Sequence, residues 1–232
     1  MANKKYRILA VTLARGGSKS IKNKNIIPYK GKPLLAHSIL SAKNSSNVDK
    51  VIVSTDSIYY KKVAESYGAE VPFLRPKKIS SSKSLDIDYI KHCCNFLKKK
   101  NYFPEIVVLL RPTTPNRNVK ILDKGIKYFL KNINKFDSMR SVSFFNQPPY
   151  KMFKIKNKRL VGFFDDFLKG EYYSQPRQNF PQTYLPNGYV DIYKPSFFLN
   201  KKNNLCGRIL PFVTEETLDI DEKKDLKLKK KL

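Results

Sequence analysis

The chain has 232 residues, and 46 lysines and arginines against 19 aspartates and glutamates give it a formal net charge of +27. This length fits one α/β domain, and an apolar content of 41% is enough for a sizeable core. The sequence lacks a membrane-length apolar stretch, a signal-peptide region and a C-x-x-C pair, which predicts a cytoplasmic protein with no membrane segment and no disulfide framework.

Strands and helices alternate along the predicted secondary structure. Residues 6–13 form an almost continuous apolar run, typical of a buried parallel strand, and Pro33 opens the first helix. In chain order, we predict strands at residues 6–13, 51–54, 70–74, 106–110, 189–193 and 209–213, and helices at residues 33–44, 59–67, 86–99, 121–132 and 222–230. The alternation predicts a doubly wound, mostly parallel α/β sheet with right-handed crossovers.

Residues 141–184 do not follow this alternation. They form an irregular, basic segment that is rich in phenylalanine and tyrosine. Such aromatic density is usual in a core, but outside a βα unit it also suits a protruding arm that packs on another subunit. We therefore expect a single domain over residues 1–232 that carries a small dimerisation arm, and a homodimer.

The most informative segment is the loop after the first strand, residues 13–25, with the sequence LARGGSKSIKNKN. Its two glycines let the backbone approach a ligand, while Arg15, Lys19 and Lys24 supply charges suited to phosphate oxygens. In an open α/β sheet, such a loop at the end of a strand is where a polyphosphate is held. The loop matches neither the Walker motif nor G-x-G-x-x-G. On glycine and charge alone, a plain surface turn of a lysine-rich protein is equally consistent.

The order of the residues favours the phosphate site. LARGGSKSIKNKNIIPYKGKPLL, residues 13–35, resembles the opening of the acylneuraminate cytidylyltransferases, also called CMP-sialic acid synthetases, which read roughly (I/L)-A-R-G-G-S-K-x-(I/L)-x-x-K-N-(I/L) and then G-K-P-L. The resemblance implies a Rossmann-like nucleotidyltransferase that joins CTP and a sialic-type nine-carbon α-keto acid into a CMP-sugar, with release of pyrophosphate. It implies triphosphate contacts from Arg15 and Lys24 and a nucleoside contact from Asn25. The nucleotide-binding residues expected on this basis are Leu13, Ala14, Arg15, Gly16, Lys19, Lys24, Asn25, Arg75 and Asp86.

A second motif, TLDIDEKKDL, occupies residues 217–226. If residues 218–221 are extended, Asp219 and Asp221 project from the same face and form a hard oxygen site for Mg²⁺. Spacing alone favours instead a helix cap by Asp221, with Asp219 exposed. The resembled family carries D-I-D at this place and binds Mg²⁺ there, which favours the metal site. The resemblance thus implies Mg²⁺ as cofactor and Arg15, Lys24 and Asp221 as catalytic residues.

Two further motifs, FLRP and LLRPTTPNR, end strands on the presumed ligand side. The family's counterparts look like F-L-R-P and L-L-Q-P-T-S-P-L-R, so Arg75 matches a residue near the base. Arg111 stands where sialic acid members have a glutamine that contacts the sugar. It could grip a carboxylate or hydroxyl, or merely pack at the strand end. Asp86 falls near the base position, where it could accept from the cytosine amino group, although a helix cap is favoured.

The sugar side is expected in residues 175–193, QPRQNFPQTYLPNGYVDIY. This block resembles the family's Q-P-R-Q…P…(Y/F)-x-P-N-G block, which implies sugar contacts from Gln178, Tyr184 and Asn187. Upstream, QPPYK resembles the P-x-K of the dimerisation arm, whose lysine reaches the active site of the partner subunit. Lys151 is the matching residue; the alternative is a solvated lysine.

Other functions remain consistent with the sequence. The cytidylyltransferases of the eight-carbon acid Kdo open with A-R-x-x-S-x-R-(L/F)-x-x-K-x-L, but the Lys24-Asn25 and Asn187-Gly188 pairs favour the sialic-type branch. A catalytically inactive homologue is a further alternative. The net charge admits a nucleic-acid-binding module, but the lysines are spread over the chain and aromatics do not alternate with the basic runs. We therefore expect no specific nucleic acid partner.

Overall fold

A six-stranded sheet with helices on both faces organises the computed structural model, which describes residues 6–18, 20–201 and 205–227. The strands are β1 (Ile8–Leu13), β2 (Pro28–Tyr29), β3 (Lys32–Pro33), β4 (Lys50–Ser54), β5 (Ile106–Leu109), β6 (Ser138–Phe145), β7 (Phe153–Lys156), β8 (Arg159–Gly162), β9 (Thr183–Tyr193) and β10 (Ile209–Val213). The α-helices are α1 (Leu34–Lys43), α2 (Ile58–Ser66), α3 (Asp86–Lys98), α4 (Val119–Lys131) and α5 (Pro195–Phe198). Within the described ranges, no helix has the length and apolar character that a membrane crossing needs.

The strand order in the main sheet is β10-β6-β9-β5-β1-β4. The neighbours β4, β1 and β5 are parallel, as are β6 and β10, whereas β9 runs antiparallel to β5 and β6 on its two sides. One strand is therefore reversed in an otherwise parallel sheet, and the predicted fold class is confirmed. Strands buried on both faces explain the unbroken apolar run IVVL of β5.

Alternate side chains of the strands pack in two separate hydrophobic cores, one on each face of the sheet. Ile8 and Ala10 of β1 point to the face covered by α1, α2 and α4, while Leu9 and Val11 point to the face covered by α3 and α5. Each helix buries a stripe at helical spacing. The stripe of α4, for example, consists of Leu122, Ile126 and Phe129. The parallel strands thereby end together at one edge of the sheet, where their loops can share a ligand.

Two predicted elements differ from the structure. Residues 70–74 form only isolated bridges, Ile52 with Glu70 and Thr55 with Leu74, because Pro72 has no N–H to donate to a continuous ladder. The predicted helix at residues 222–230 is a 3-10 helix at Lys223–Lys227, and residues 228–230 lie outside the described residues. The other predicted helices and strands begin and end within a few residues of their predicted bounds, except that β9 starts earlier. The prediction missed β6 of the main sheet and the short elements β2, β3, β7, β8 and α5.

Residues 146–182 leave the main sheet and form the segment that we call the arm. The predicted arm, residues 141–184, was too long at both ends, because residues 141–145 belong to β6 and residues 183–184 to β9. Its β7–β8 hairpin turns at Asn157 and Lys158, whose φ angles of 49° and 62° fit a tight two-residue turn. Beside the hairpin, Tyr150 stacks on Phe180 with ring centroids 5.1 Å apart. These contacts bury only part of the apolar content of the arm. Large apolar side chains that stay exposed are Ile155, Leu160, Phe163 and Phe167.

Candidate active site at the carboxyl ends of the strands

The loop that follows β1 is fixed by hydrogen bonds at both of its ends. The Ala14 N–H donates to the Ser54 carbonyl over 3.1 Å, and the Gly16 N–H donates to Asp56 Oδ1 over 2.8 Å. A Cβ on Gly16 would lie 3.3 Å from Ser57 Cβ, so glycine lets the loop pass close to the end of β4. The contacts hold the predicted phosphate loop at the ligand edge of the sheet. Lys19, predicted to bind nucleotide, lies outside the described residues.

Asn25 closes the loop from the other side. Its side chain is buried, and Nδ2 donates to the Arg15 carbonyl over 3.1 Å. This bond sets the backbone at Arg15, which is one of the two predicted triphosphate contacts. Asn25 thus shapes the loop in addition to any contact with a nucleoside.

Lys24 meets Asp221 although 197 residues separate them in the chain, with Lys24 Nζ 2.7 Å from Asp221 Oδ1. The side chain of Lys24 is 13% exposed and that of Asp221 is 68% exposed. A small apolar cluster that includes Ile21, Leu218 and Ile220 packs the two segments together. The Ile220 N–H also donates to the Thr113 carbonyl over 2.8 Å. The two motifs singled out in the sequence therefore form one site.

Asp219 and Asp221 alternate with buried apolar residues, the pattern on which their predicted shared face depends. Leu218 and Ile220 are buried while both aspartates are exposed, although the described residues form no strand here. Partial desolvation raises the pKa of Asp219, and so does the neighbouring charge of Asp221. The carboxylate of Asp221 bonds Lys24 rather than the following backbone, so its alternative role as a helix cap is wrong.

The two carboxylates stand without a third ligand from the described residues, where no group of three or more His, Cys, Asp or Glu could hold a metal ion. Two acidic oxygens at an exposed edge still fit the usual way in which Mg²⁺ binds, through one or two carboxylates together with substrate phosphates.

Arg75 lies beneath the loop rather than in an open pocket. Its side chain is buried, with Nε donating to Ser80 Oγ over 3.1 Å and the guanidinium 4.1 Å from the Tyr89 ring centroid. One terminal nitrogen is 3.9 Å from Asp56 Oδ1, the same oxygen that accepts the Gly16 N–H. Burial lowers the pKa of Arg75. Arg75 therefore lies close to the phosphate loop, and its buried Nη2 forms no hydrogen bond with the described residues.

Arg111 and Asp86, predicted to contact the sugar and the base, are bonded to each other. Arg111 Nη2 lies 2.6 Å from Asp86 Oδ2 and 3.3 Å from Asp191 Oδ2, while Arg140 Nε lies 3.4 Å from the other oxygen of Asp191. Burial lowers the pKa of Arg111, but the charges of Asp86 and Asp191 outweigh burial and raise it overall. The charge of Arg111 is thus compensated within the chain.

The favoured alternative for Asp86, a helix cap, is wrong. Within the first turn of α3 it is Asp88 whose carboxylate accepts a hydrogen bond from the Leu85 N–H, over 3.2 Å. Asp86 is the first residue of α3, and its carboxylate bonds Arg111 instead.

Arg117 is a structural centre that sequence reasoning missed. It is buried, and burial lowers its pKa to about 9. Its guanidinium donates to the Tyr189 carbonyl (2.7 Å), the Arg111 carbonyl (2.8 Å), the Gly188 carbonyl (3.0 Å), Ser38 Oγ (3.0 Å) and the Thr114 carbonyl. These acceptors belong to the loop after β5, to β9 and to α1. Arg117 therefore ties the segment of Arg111 to the segment of Asn187.

The predicted sugar-binding residues are spread out. Gln178 is exposed on the arm in a groove of about 430 Å³, and Lys151 is exposed beside a hollow of about 350 Å³. Tyr184 is exposed on β9, with its ring centroid 6.4 Å from that of Phe144. Asn187 is buried, and its Nδ2 donates to Thr214 Oγ1 over 2.7 Å. The described contacts bring none of these four to Lys24, Asp221 or Arg111.

Comparison with known proteins identifies the family of the chain. Residues 9–139 match the family model described as cytidylyltransferase. The chain is 33% identical over 224 residues to the N-acylneuraminate cytidylyltransferase of Escherichia coli O18:K1:H7, covering 96% of this chain but only 51% of that relative. It is 30% identical over 236 residues to a pseudaminic acid cytidylyltransferase of Campylobacter jejuni, covering 96% of this chain and 94% of the relative.

Solved structures share the fold at much lower identity. CMP:2-keto-3-deoxy-manno-octonic acid synthetase complexed with CTP superposes with a TM-score of 0.67 at 14% identity, over 95% of each chain. The 4-diphosphocytidyl-2C-methyl-D-erythritol synthase of Anaerococcus prevotii has a TM-score of 0.61 at 11% identity, over 95% of this chain and 93% of its own. These identities support the fold alone, whereas the family model and the two relatives confirm the family predicted from the sequence. The chain belongs to the cytidylyltransferase family.

Proposed function

We propose that the protein transfers CMP from CTP to the anomeric hydroxyl of a sialic-acid-like nine-carbon α-keto acid and releases pyrophosphate. Relatives named N-acylneuraminate and pseudaminic acid cytidylyltransferase support this reaction class. The observation that carries the proposal is the 2.7 Å contact between Lys24 Nζ and Asp221 Oδ1. This contact unites a phosphate-binding loop and a pair of carboxylates at the end of a parallel sheet.

In this reaction the sugar hydroxyl attacks the α-phosphate in line while pyrophosphate leaves, so negative charge must be stabilised on both sides. Arg15 and Lys24 hold the leaving pyrophosphate, and Asn25 fixes the loop through the Arg15 carbonyl. Lys24 Nζ donates one hydrogen bond to Asp221, and the ammonium group has two further N–H groups that can donate to phosphate oxygens. Asp56 fixes the loop by accepting the Gly16 N–H.

Asp219 and Asp221 are the residues that would hold Mg²⁺. The fit rests on two exposed carboxylates that alternate with the buried side chains of Leu218 and Ile220 and lie beside the predicted phosphate loop through Lys24. When bound, the cation shields the phosphates and lowers the pKa of the attacking hydroxyl.

We assign the acid substrate to the side of the site bounded by Arg111, Asn187 and the arm. Arg111 offers its guanidinium N–H groups, and Tyr184 and Gln178 present polar groups on the exposed surface of the arm and of β9. Lys151 belongs to the arm, and we propose that it enters the site of a partner subunit in a homodimer. Exposed Ile155 and Phe167, at 79% and 83%, support burial of the arm against a second copy.

The cytoplasm is the proposed location, because CTP is an intracellular substrate and the three cysteines are free thiols in the structure. Cys93 and Cys94 are buried and Cys206 is partly buried. Burial raises the pKa of Cys94 to about 12, which keeps that thiol protonated and unreactive. Free thiols of this kind are usual in a reducing compartment.

Pyrophosphate release tests the proposed function directly. The purified protein is incubated with Mg²⁺, with CTP, GTP, ATP or UTP, and with sialic, legionaminic, pseudaminic acid or Kdo. We expect release with CTP and at least one nine-carbon acid, and none with the other nucleotides. Turnover of Kdo alone would favour the eight-carbon alternative. A folded protein that is inactive with every acid would contradict the proposal and favour the inactive-homologue alternative.

A further inference from the structure

A groove of about 740 Å³ lies between α4 and the edge strand β10. Its floor is apolar and is formed by Tyr128, Phe212 and Val213, with the Tyr128 and Phe212 ring centroids 6.2 Å apart. The helix can approach the strand because Gly125 has no side chain; a Cβ there would lie 2.9 Å from the Phe212 ring. We call this feature the lysine groove, since four lysines of α4 line it: Lys120, Lys124, Lys127 and Lys131.

The four lysines form one row. Their spacings of four, three and four residues place them on the same face of α4, and all four are exposed. None of them forms an ion pair with a carboxylate of the described chain. The acidic lining residue, Asp123, accepts hydrogen bonds from the Ser45 hydroxyl and from the Ser46 hydroxyl over 3.0 Å and forms no ion pair with the four lysines. The groove therefore combines an apolar floor with a rim of four lysines and one carboxylate, which is positive overall.

We infer that the lysine groove binds an acidic amphipathic helix of a partner protein. The apolar face of such a helix would cover Tyr128 and Val213, and its carboxylates would pair with the lysine row. Lys120 and Lys131 are eleven residues apart, so at 1.5 Å per residue the row extends about 17 Å, or three turns of the bound helix. Apolar area gives affinity, and the four charges select an acidic partner and raise its association rate.

Three other occupants fit less well. A strand added to the free edge of β10 would meet Pro211 at its centre, which has no N–H to donate. A second copy packed on this groove about a two-fold axis would set its own lysine row against this one, and the like charges would repel each other. Nucleic acid would pair with the lysines but would leave the apolar floor uncovered, because its outer surface is the charged phosphate backbone.

Fluorescence anisotropy with a labelled 14-residue peptide tests the inference. The peptide has leucine on one helical face and glutamate on the other, and a scrambled peptide of the same composition is the first control. The groove variant is Lys124→Glu/Lys127→Glu, in which Lys120 and Lys131 remain as partners at i,i+4 spacing, so α4 is not destabilised. The matched variant is Lys99→Glu/Lys100→Glu, which makes the same charge change at exposed positions after α3.

We expect saturable binding by the amphipathic peptide at about 0.15 M salt and a loss of about tenfold or more in the groove variant, with a change of less than about twofold in the matched variant. Val213→Asn should weaken binding several-fold without a change of charge, as the apolar floor requires. Equal losses in both double variants, or equal binding of the scrambled peptide, would overturn the inference. It would also be overturned if a duplex DNA oligonucleotide displaced the peptide, or if the groove variant alone lowered the mass in light scattering.

Discussion

At the scale of single residues, the contact between Lys24 and Asp221 joins the two charges on which the proposed chemistry depends. Asp221 is 68% exposed, so water screens the pair, and an exposed ion pair of this kind contributes less than about 1 kcal/mol to stability. Losing Asp221 should therefore cost little folding free energy. Its effect on turnover should be much larger, because charge in a transition state is stabilised by groups that are already in place.

We predict that Asp221→Asn lowers kcat by about 100-fold or more in the presence of Mg²⁺, while the thermal unfolding midpoint changes little. Glu222→Gln is the matched control: it removes an adjacent exposed carboxylate whose described ion pair is with Lys224. Steady-state pyrophosphate release and a thermal melt are measured on both variants. Full activity of Asp221→Asn would show that this carboxylate does not hold the metal.

The bond between Arg111 and Asp86 leads to a second residue-scale prediction. Their atoms approach to 2.6 Å in a half-buried setting, so removal of one partner leaves an uncompensated charge on the other. In a cycle of Asp86→Asn, Arg111→Gln and the double variant, we expect a coupling energy on the order of 1 kcal/mol or more in urea unfolding. The double variant should thus lose less free energy of unfolding than the two single variants lose in sum. Strict additivity would mean that the two side chains do not interact in solution.

At the scale of elements, the segment that carries Asp219 and Asp221 is held by very little. It joins neither sheet nor helix, and Leu218 and Ile220 attach it to a small cluster separate from both main cores. Elements with few buried contacts can open locally at a free energy below that of global unfolding. Placement of the two carboxylates therefore depends on this cluster rather than on the sheet.

We predict that Ile220→Ala releases the segment, because the methyl groups that anchor it are lost. The expected result is a decrease in kcat of about tenfold or more, since small misplacements of reacting groups are costly, with a modest change in the unfolding midpoint. Ile220→Val keeps most of the contact and should retain activity. Activity assays and far-UV circular dichroism distinguish release of the segment from loss of the fold. Undiminished turnover in Ile220→Ala would argue against anchoring by the cluster.

Much of the fold follows from local sequence patterns, and the exceptions have local causes. The IVVL run of β5 and the helical stripe of α4 were predictable because burial sets their periodicity. The upper half of β9 was missed because Pro186 and Gly188 interrupt its strand pattern. That half pairs only with β6, since β5 reaches no further than Asp191, and a proline is tolerated at the resulting free edge.

The candidate site was predictable where motifs are linear and not where contacts are long-range. The shared face of Asp219 and Asp221 follows from alternation in an extended chain. The pairing of Arg111 with Asp86 and the burial of Arg117 depend on how separate loops meet, which no spacing reveals. Arg117 bonds carbonyl and hydroxyl oxygens and no carboxylate, so not even a complementary charge in the sequence indicated its role.

At the scale of the whole molecule, the exposed apolar side chains of the arm favour an oligomer over a monomer. Its β7–β8 hairpin presents Ile155 and Leu160 to solvent, and Phe163 and Phe167 beside it are exposed as well. Two arms that pack about a two-fold axis would cover both copies of this surface at once, and two-fold dimers are the commonest oligomers.

We predict a homodimer with shared active sites, in which Lys151 acts in the site of the partner subunit. Chains with Lys151→Ala and chains with Asp221→Asn are each expected to be nearly inactive. After mixing and chain exchange, heterodimers should regain activity, because one of their two sites keeps both residues. Light scattering measures the oligomeric state, and pyrophosphate release measures the recovered activity. A monomer with full turnover, or no recovery despite confirmed exchange, would contradict shared sites.

The reversed strand β9 has a consequence for how the chain can be assembled during synthesis. It enters the sheet between β5 and β6 only after the entire arm has left the ribosome. Until then, the edges of β5 and β6 that will face β9 are unpaired, and unpaired strand edges can pair with other chains. Residues 9–139, which carry the family pattern, therefore cannot complete this sheet by themselves. The strand that returns from the arm is therefore needed to complete the sheet.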